Sequence, residues 1–323
     1  MAKTIETVNK VSVVGTGVIG NGWIARFLAQ GYDVIAFDPA EGAESRTRQA
    51  VKQAWPSLEK IGLADGASQN RLCFASTLEE AVAESGYIQE NVPEREELKK
   101  SVLKDIDHHA KPEAMIGSST SGIKPSILQD GMRYPERFIV AHPFNPVYLL
   151  PLVEVVGGKA TEKITIEKAT QFFESIAMKP LVVEKEIDGH VADRLMEALW
   201  REALHLVNDG IATTEEVDKA IIYGAGLRWA QMGPFLTFHL AGGEQGMRHM
   251  LEQFGPALKL PWTKLEAPEL TEDLKERVIE GCESYAGDQE IAELERKRNE
   301  FLVKLLGLVE EYWPESNSIV KEG

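Results

Sequence analysis

A doubly wound, mostly parallel α/β sheet followed by an all-α domain is the fold class that this sequence predicts. Three observations carry the prediction. Residues 1–186 alternate short apolar runs with helix-length amphipathic stretches, the βαβ rhythm of a parallel sheet covered on both faces. From residue 187 onward apolar residues recur only at helical spacing. The chain has 323 residues, enough for two domains at roughly 150 residues each.

The apolar runs are Val11–Val14, Val34–Phe37, Arg71–Ala75, Tyr87–Gln89, Met115–Ser118, Phe138–Ala141, Leu152–Val156 and Leu181–Val183. Between the first of them lie helix candidates at Ile19–Gln30, Glu41–Ile61 and Glu94–Ala110. Gly31 suits the position after a helix end, and Pro93 suits the start of the Glu94 helix. In the second half, Val191, Leu195, Ala198, Leu199, Leu206 and Val207 mark one helix, begun at Asp188-Gly189 and stopped at Asn208-Asp209-Gly210. Thr213 with Glu216 opens the next as a capping box. Helical patterning continues over Glu244–Phe254, Glu272–Ser284 and Gln289–Tyr312. The expected division is therefore 1–186 and 187–323.

Composition narrows the function. With 51 acidic and 35 basic residues the formal net charge is −16. That balance argues against a nucleic-acid partner, which needs clustered cations. The longest uncharged stretch, Phe138–Val153, is interrupted by Pro143, Pro146 and Pro151 and is too short to span a bilayer. The start of the chain lacks an apolar signal core. Two distant cysteines, Cys73 and Cys282, give neither a disulfide framework nor zinc-ligand spacing. Cys73 reads as core. No metal is expected, and a reducing cytoplasm is.

The strongest motif follows the first strand run: Gly15-Thr16-Gly17-Val18-Ile19-Gly20. A glycine turn between strand and helix cradles a pyrophosphate: Gly15 for the tight turn, Gly17 for close backbone approach, Gly20 for helix–sheet packing. The second strand ends at Asp38, 18 residues past Gly20. A carboxylate there grips the adenosine ribose hydroxyls and repels a ribose phosphate, so the expected cofactor is NAD in a Rossmann-type domain.

A second constellation lies farther along. Ser118-Ser119-Thr120-Ser121-Gly122 follows the Met115 strand, and His142-Pro143-Phe144-Asn145-Pro146 ends the next one. Ligands of a doubly wound sheet sit beyond the carboxyl ends of its strands, so both clusters face the crevice. Glu154 lies inside the apolar run Leu152–Val156. A buried carboxylate needs a partner, and His142 is the candidate. The pair suits alcohol oxidation: a neutral imidazole takes the hydroxyl proton, and the carboxylate fixes its tautomer. Ser121 is placed to hold the substrate oxygen. A core histidine in a structural salt bridge is the alternative on spacing alone.

Taken in order, the glycine turn, Asp38, Ser121 in SSTSG, His142 in AHPFNP, Glu154 in PLVEVV and Gly189–Met196 resemble the 3-hydroxyacyl-CoA dehydrogenase family. The resemblance implies an oxidoreductase whose His–Glu pair falls on His142 and Glu154 and whose substrate-contacting serine is Ser121. It implies cofactor contacts at Glu94, Lys99, Ser119 and Asn145, besides Gly15–Gly20 and Asp38. It also implies a homodimer built on the helical domain. One position departs from the family pattern: Asp193 stands where the family has an asparagine that donates to the substrate oxygen, and an ionised aspartate cannot donate.

Within the family, IQENVPE at Ile88–Glu94 and GAGLRWAQMGPF at Gly224–Phe235 look like the branch, related to lambda-crystallin, that acts on small 3-hydroxy acids. The stretch Phe235–Leu265 is similar to its carnitine-oxidising members. This implies a substrate with a carboxylate, a 3-hydroxyl and a trimethylammonium, the last held by aromatic faces and negative charge. Phe144, Trp229 and Phe235 are candidate walls. Arg194, Arg228 and Lys124 are candidate partners of the carboxylate, and Trp200, in the periodic apolar set, reads as core. Another 3-hydroxy acid such as gulonate or 3-hydroxybutyrate, a 3-hydroxyacyl-CoA, and a non-catalytic crystallin-like protein that keeps the NAD fold remain the competing expectations. His142, Glu154 and Ser121 all being present argues against the last.

Overall fold

The computed structural model describes residues 8–230, 232–256, 260–264, 269, 271–274, 276 and 291–312. The chain divides into two compact units, Met1–Arg194 and Leu195–Gly323.

The first unit is built on one eight-stranded sheet: β1 (Lys10–Val14), β2 (Asp33–Phe37), β3 (Leu72–Phe74), β4 (Tyr87–Glu90), β5 (Met115–Ser118), β6 (Phe138–Pro143), β7 (Leu152–Gly157) and β8 (Lys179–Val183). Their spatial order is β3-β2-β1-β4-β5-β6-β7-β8. Every neighbouring pair is parallel except β6 and β7. The order reverses between β1 and β4, which opens a crevice at the carboxyl ends of those strands. All eight apolar runs read from the sequence are strands, because β-branched and aromatic side chains fit a pleated surface buried on both faces.

Helices cover both faces. Helix α1 (Val18–Ala29) and α6 (Lys163–Ser175) bring Trp23, Phe27, Phe172 and Phe173 against Tyr87 on one face. The Tyr87 and Phe172 rings lie 4.6 Å apart and Trp23 stacks on Phe27 at 5.3 Å. On the other face α3 (Leu78–Val82) and α4 (Glu96–His109) bury Val82, Leu103 and Ile106 with Ile88 and Ile116. Helix α2 (Ala43–Ile61) and the short α5 (Pro125–Leu128) complete the unit. Arg26 of α1 is buried and donates to the carbonyls of Val147 (2.8 Å), Ala177 (3.2 Å) and Ile176 (3.3 Å). Burial pushes its guanidinium down to about 10. It anchors the β6–β7 loop that follows His142.

Two expectations are corrected here. Cys73 is exposed, not core, because β3 is an edge strand and its pleat turns alternate side chains outward. Helix α4 begins at Glu96 with Arg95 as its cap, two residues later than the sequence suggests. Glu94 stays in the loop because its carboxylate is held by another loop, as described below.

The elements described in the second unit are all helices. Helix α7 (Ala192–Asn208) starts in the last residues of the first unit and is followed by α8 (Thr214–Ala220) with the capping box on Thr213. A π-helical turn at Ile221–Ala225 leads into α9 (Gly226–Trp229), then α10 (Pro234–Ala241), α11 (Gly246–Phe254) and a long helix at Ile291–Tyr312. The expected helix Glu272–Ser284 falls largely outside the described residues. The apolar stripe of α7 is not core: Leu195, Met196, Leu199 and Trp200 are all exposed in the single chain, Trp200 at 52%. Only Leu204 and Val207 of that helix are buried. Among the described residues no helix is long and apolar enough to cross a membrane, and none of the His, Cys, Asp and Glu side chains cluster as metal ligands.

Candidate active site

The crevice is floored by the glycine turn. Gly15 has φ +88°, and a Cβ there would lie 2.8 Å from the Asn91 backbone. A Cβ on Gly20 would meet the Gly15 carbonyl at 1.9 Å, whereas one on Gly17 meets nothing within 4 Å. The backbone is thus packed tightly beneath the turn and left open above it. Helix α1 starts there with no side-chain cap and no acidic residue in its first turn. Its first N–H groups, at Val18 and beyond, are open to an anion. Val18 is itself 71% exposed, while Thr16 is buried and Ile19 half-buried.

Asp38 lies just beyond β2, beside the glycine turn. Its Oδ2 accepts from Thr16 N–H (2.8 Å) and Thr16 Oγ1 (3.2 Å), and Oδ1 from Ala40 N–H (2.9 Å). The carboxylate is thereby aimed beside the turn with lone pairs left on both oxygens. An open pyrophosphate cradle and a fixed acid at its side fit a dinucleotide with free ribose hydroxyls.

On the other side of the switch point, a polar network holds the strand ends in register. Ser119 Oγ accepts from Trp23 Nε1 (3.1 Å) and Gln89 Nε2 (2.7 Å) and donates to Asn91 Oδ1 (2.7 Å). The Ser119 hydroxyl is therefore taken up inside the protein. Glu90, fully buried, accepts from Lys99 Nζ (2.9 Å), Ser118 Oγ and Val92 N–H (2.6 Å). Lys99 is buried as well, with Glu94 3.5 Å away on its other side. Glu94 reaches across to accept from Thr120 Oγ1, Ser121 N–H (3.1 Å) and Gly122 N–H (3.3 Å). One carboxylate thus clamps the SSTSG loop, leaving Ser121 exposed at its tip.

The His142–Glu154 pair forms where β6 and β7 run antiparallel. His142 and Glu154 are directly opposed in the register, and His142 Nδ1 lies 2.9 Å from Glu154 Oε2. A carboxylate only accepts, so Nδ1 carries a proton, and in a neutral imidazole the lone pair is then on Nε2. Glu154 is fully buried. Its other oxygen accepts from the N–H groups of Val191 (2.8 Å) and Ala192 (2.9 Å) at the start of α7. Burial raises the Glu154 carboxyl, but the His142 hydrogen bond and those two N–H groups outweigh it and hold it below its ordinary value.

Nε2 of His142 faces Asp193, whose Oδ2 is 3.6 Å away. Phe144 lies edge-on to the imidazole at 4.9 Å. Asn145 is exposed and precedes a cis peptide bond to Pro146. Arg194 is exposed beside the Asp188 carbonyl, and Lys124 pairs with Asp188 at 2.7 Å. Trp229 and Phe235, in the second unit, are exposed at 44% and 82%.

His190 is a residue to which sequence reasoning gave no role. It is fully buried, with left-handed backbone at φ +47°. Its ring sits 5.6 Å from that of His142. Its Nε2–H donates to the Thr120 carbonyl at 3.2 Å, and among the described residues Nδ1 has no hydrogen-bond partner. Desolvation first, then the nearby His142, lowers its pKa and keeps it neutral. The turn at Gly189-His190, both left-handed, is what aims Val191 and Ala192 N–H at Glu154. The available signal was a second histidine next to a glycine just before a helix start.

A glycine cradle open to a dinucleotide, an acid for ribose hydroxyls and a carboxylate-oriented imidazole define an NAD-dependent dehydrogenase. Comparison with known proteins narrows that class. The model of the 3-hydroxyacyl-CoA dehydrogenase NAD binding domain matches residues 10–187, and that of the 3-hydroxyacyl-CoA dehydrogenase C-terminal domain matches residues 189–280. The chain belongs to the 3-hydroxyacyl-CoA dehydrogenase family. It is 70% identical to the L-carnitine dehydrogenase of Oceanobacillus iheyensis over 94% of this chain and 99% of that one. It is 68% identical to the L-carnitine dehydrogenase of Bacillus cereus over 97% of this chain and 96% of the other. Among solved structures, the NAD+-dependent 5-formyl-3-hydroxy-2-methylpyridine 4-carboxylic acid 5-dehydrogenase superposes with a TM-score of 0.79 at 26% identity, covering 94% of this chain and 99% of that one.

Proposed function

We propose that this chain oxidises the 3-hydroxyl of L-carnitine to 3-dehydrocarnitine. The observation that carries the proposal is the 70% identity, over nearly the whole of both chains, to a relative named for that reaction. The His142–Glu154 pair supports it chemically. His142 Nε2 takes the hydroxyl proton as the carbonyl forms. Glu154 holds Nδ1–H and stabilises the imidazolium that results. NAD, when bound, supplies the acceptor for the hydride leaving C3. Gly15–Gly20 and Asp38 are the proposed cofactor contacts, with Asn145. Glu94, Lys99 and Ser119 are the remaining proposed contacts on the cofactor side, and they also hold the loops beside the crevice. Ser121 is the proposed donor to the substrate oxygen.

In the same reading, residues 187–323 form the substrate and dimerisation domain, with Trp229 and Phe235 as candidate substrate walls and Arg194 as a candidate partner of the carboxylate. The exposed stripe Leu195, Met196, Leu199 and Trp200 supports a homodimer, since an apolar helix face left open on a single chain is stabilised by a second copy. The lack of a cysteine framework supports a cytoplasmic setting.

The test is NADH formation with L-carnitine, D-carnitine, L-gulonate, 3-hydroxybutyrate and a 3-hydroxyacyl-CoA. Turnover confined to L-carnitine is the expected result. Turnover on gulonate or 3-hydroxybutyrate in its place keeps the His142–Glu154 chemistry and discards carnitine.

A further inference from the structure

We propose that Gln89 is a positioning residue for hydride transfer: it reaches from β4 over Gly117 of β5 to β6 and fixes His142 relative to the glycine turn. The inference rests on the proposed function and adds to it the group that sets the spacing between cofactor cradle and base.

Strand β5 lies between β4 and β6, so the strand beside the glycine turn and the strand that carries His142 are not neighbours. Strand β4 pairs with β1. Just past its end, Asn91 N–H donates at 2.7 Å to the carbonyl of Val14, the residue before Gly15. On β6, Ala141 immediately precedes His142. Gln89 joins these two places directly. Its Nε2 donates to the Ala141 carbonyl at 3.2 Å and to Ser119 Oγ at 2.7 Å. Ser119 Oγ in turn donates to Asn91 Oδ1 at 2.7 Å, and Asn91 Nδ2 donates back to the Gln89 carbonyl at 2.9 Å.

The Gln89 amide is oriented from its other end. Tyr87, two residues earlier on the same face of β4, donates its hydroxyl to Gln89 Oε1. Burial pushes that phenol up, so it stays a donor. Gln89 is fully buried, and its two N–H groups and its oxygen are all engaged. Packing alone does not call for an amide here, since an apolar side chain fills the space without desolvating polar atoms. The crossing of β5 is a separate observation. Gly117 sits inside that strand, where glycine weakens a sheet and marks a close approach. A Cβ on it would strike the Tyr87 hydroxyl and lie 2.9 Å from Gln89 Oε1 and 3.1 Å from the Ala141 Cβ. The strand thus lacks a side chain where the Gln89 link passes over it. The link ends beside the proposed base, where a misplacement of about 1 Å costs on the order of 10²-fold in rate.

The test uses the full chain and separates rate from binding and folding. NADH affinity is followed by fluorescence and folding by the thermal midpoint. Hydride transfer is read as the first-turnover rate of NADH formation at saturating NAD and C3-deuterated carnitine, the heavy isotope keeping that step rate-limiting. Gln89→Met keeps the length of the side chain and removes its hydrogen bonds. It is expected to slow hydride transfer roughly tenfold or more while NADH affinity stays near wild type. Tyr87→Phe removes only the hydroxyl that orients the amide and is expected to slow the same step by less. A lower midpoint with an unchanged first-turnover rate in Gln89→Met marks a merely structural role and overturns the proposal. So does a loss of NADH affinity as large as the loss of rate. Should Gln89→Met fail to fold, Tyr87→Phe decides by the same comparisons. Wild-type oxidation of carnitine is measured alongside. If it is absent, the functional reading has failed and this inference falls with it. If carnitine is oxidised and the rate is unmoved in the variants, only the role of Gln89 is lost.

Discussion

Glu90, on β4, and Glu154, on β7, are both fully buried in the same sheet, and each accepts three hydrogen-bond donors or more. Both have a cationic or potentially cationic partner at 2.9 Å. The difference lies in that partner. Glu90 faces the side chain of Lys99, buried with it. Glu154 faces His142, a cation only after it has taken a proton. Near the glycine turn the ion pair is a fixed strut that holds the Glu94–SSTSG clamp. At the β6–β7 pair the same arrangement has an imidazole in place of the ammonium, the group proposed to take the substrate's proton. Two buried carboxylates in one sheet thus differ in partner, a lysine at one and a histidine at the other.

The largest effect that could break this contrast is on turnover. His142→Ala is expected to lower kcat by about 10²–10⁴-fold while NADH binding, followed by fluorescence, stays near wild type, because the cradle at Gly15–Gly20 is built from α1 and β1. Near-normal turnover in that variant would remove His142 as the base. At the strut the expected response is stability. Lys99→Met strands Glu90 without its cation and is expected to destabilise the first unit by about 3–5 kcal/mol, read as a lower thermal midpoint. Adding Glu90→Gln should recover part of the loss. If Lys99→Met instead leaves the midpoint unchanged and abolishes turnover, Lys99 belongs to the chemistry and the contrast is wrong.

The sequence reveals what repeats locally and hides what depends on strand order. The eight strands are legible because each run is apolar and bounded by turn residues, and the glycine turn because its spacing has one physical use. The His142–Glu154 pair is legible because a carboxylate inside an apolar run needs a partner and a histidine ends the preceding run. Cys73 is misjudged because only the sheet order shows that β3 is an edge. Glu94 is misplaced in a helix because its true partners, Ser121 and Gly122, lie 27 and 28 residues on. The support that Val191 and Ala192 give Glu154 spans 37 and 38 residues. It depends on a left-handed turn that helical periodicity does not register. Trp200 follows that periodicity faithfully, but periodicity names a face without saying what covers it.

The smallest effect sharpens the contrast by pH. His190 sits between the clamp and the base, bonded to the Thr120 carbonyl and 5.6 Å from the His142 ring. Its charged form is disfavoured by desolvation and by His142, while Glu154 and Asp193 partly offset this. Its native pKa is therefore depressed below the ordinary 6.5. The unfolded chain then binds a proton that the native state refuses, so stability rises with pH across that window. The contribution is complete above the ordinary value and is lost as pH falls from there through the lowered native value. Glu154, also depressed, loses its contribution only in the more acid window below its ordinary 4.5, so the two are resolvable. His190→Asn tolerates the left-handed backbone and does not titrate. Lost packing lowers its stability at every pH, so the slope is the readout. Between about pH 6.5 and 5 the wild type is expected to lose stability more steeply than the variant, by up to about 1.4 kcal/mol per pH unit, the limit for one proton. Parallel slopes in urea melts would show that His190 takes up its proton without penalty, and the neutral histidine would no longer belong beside the switchable pair.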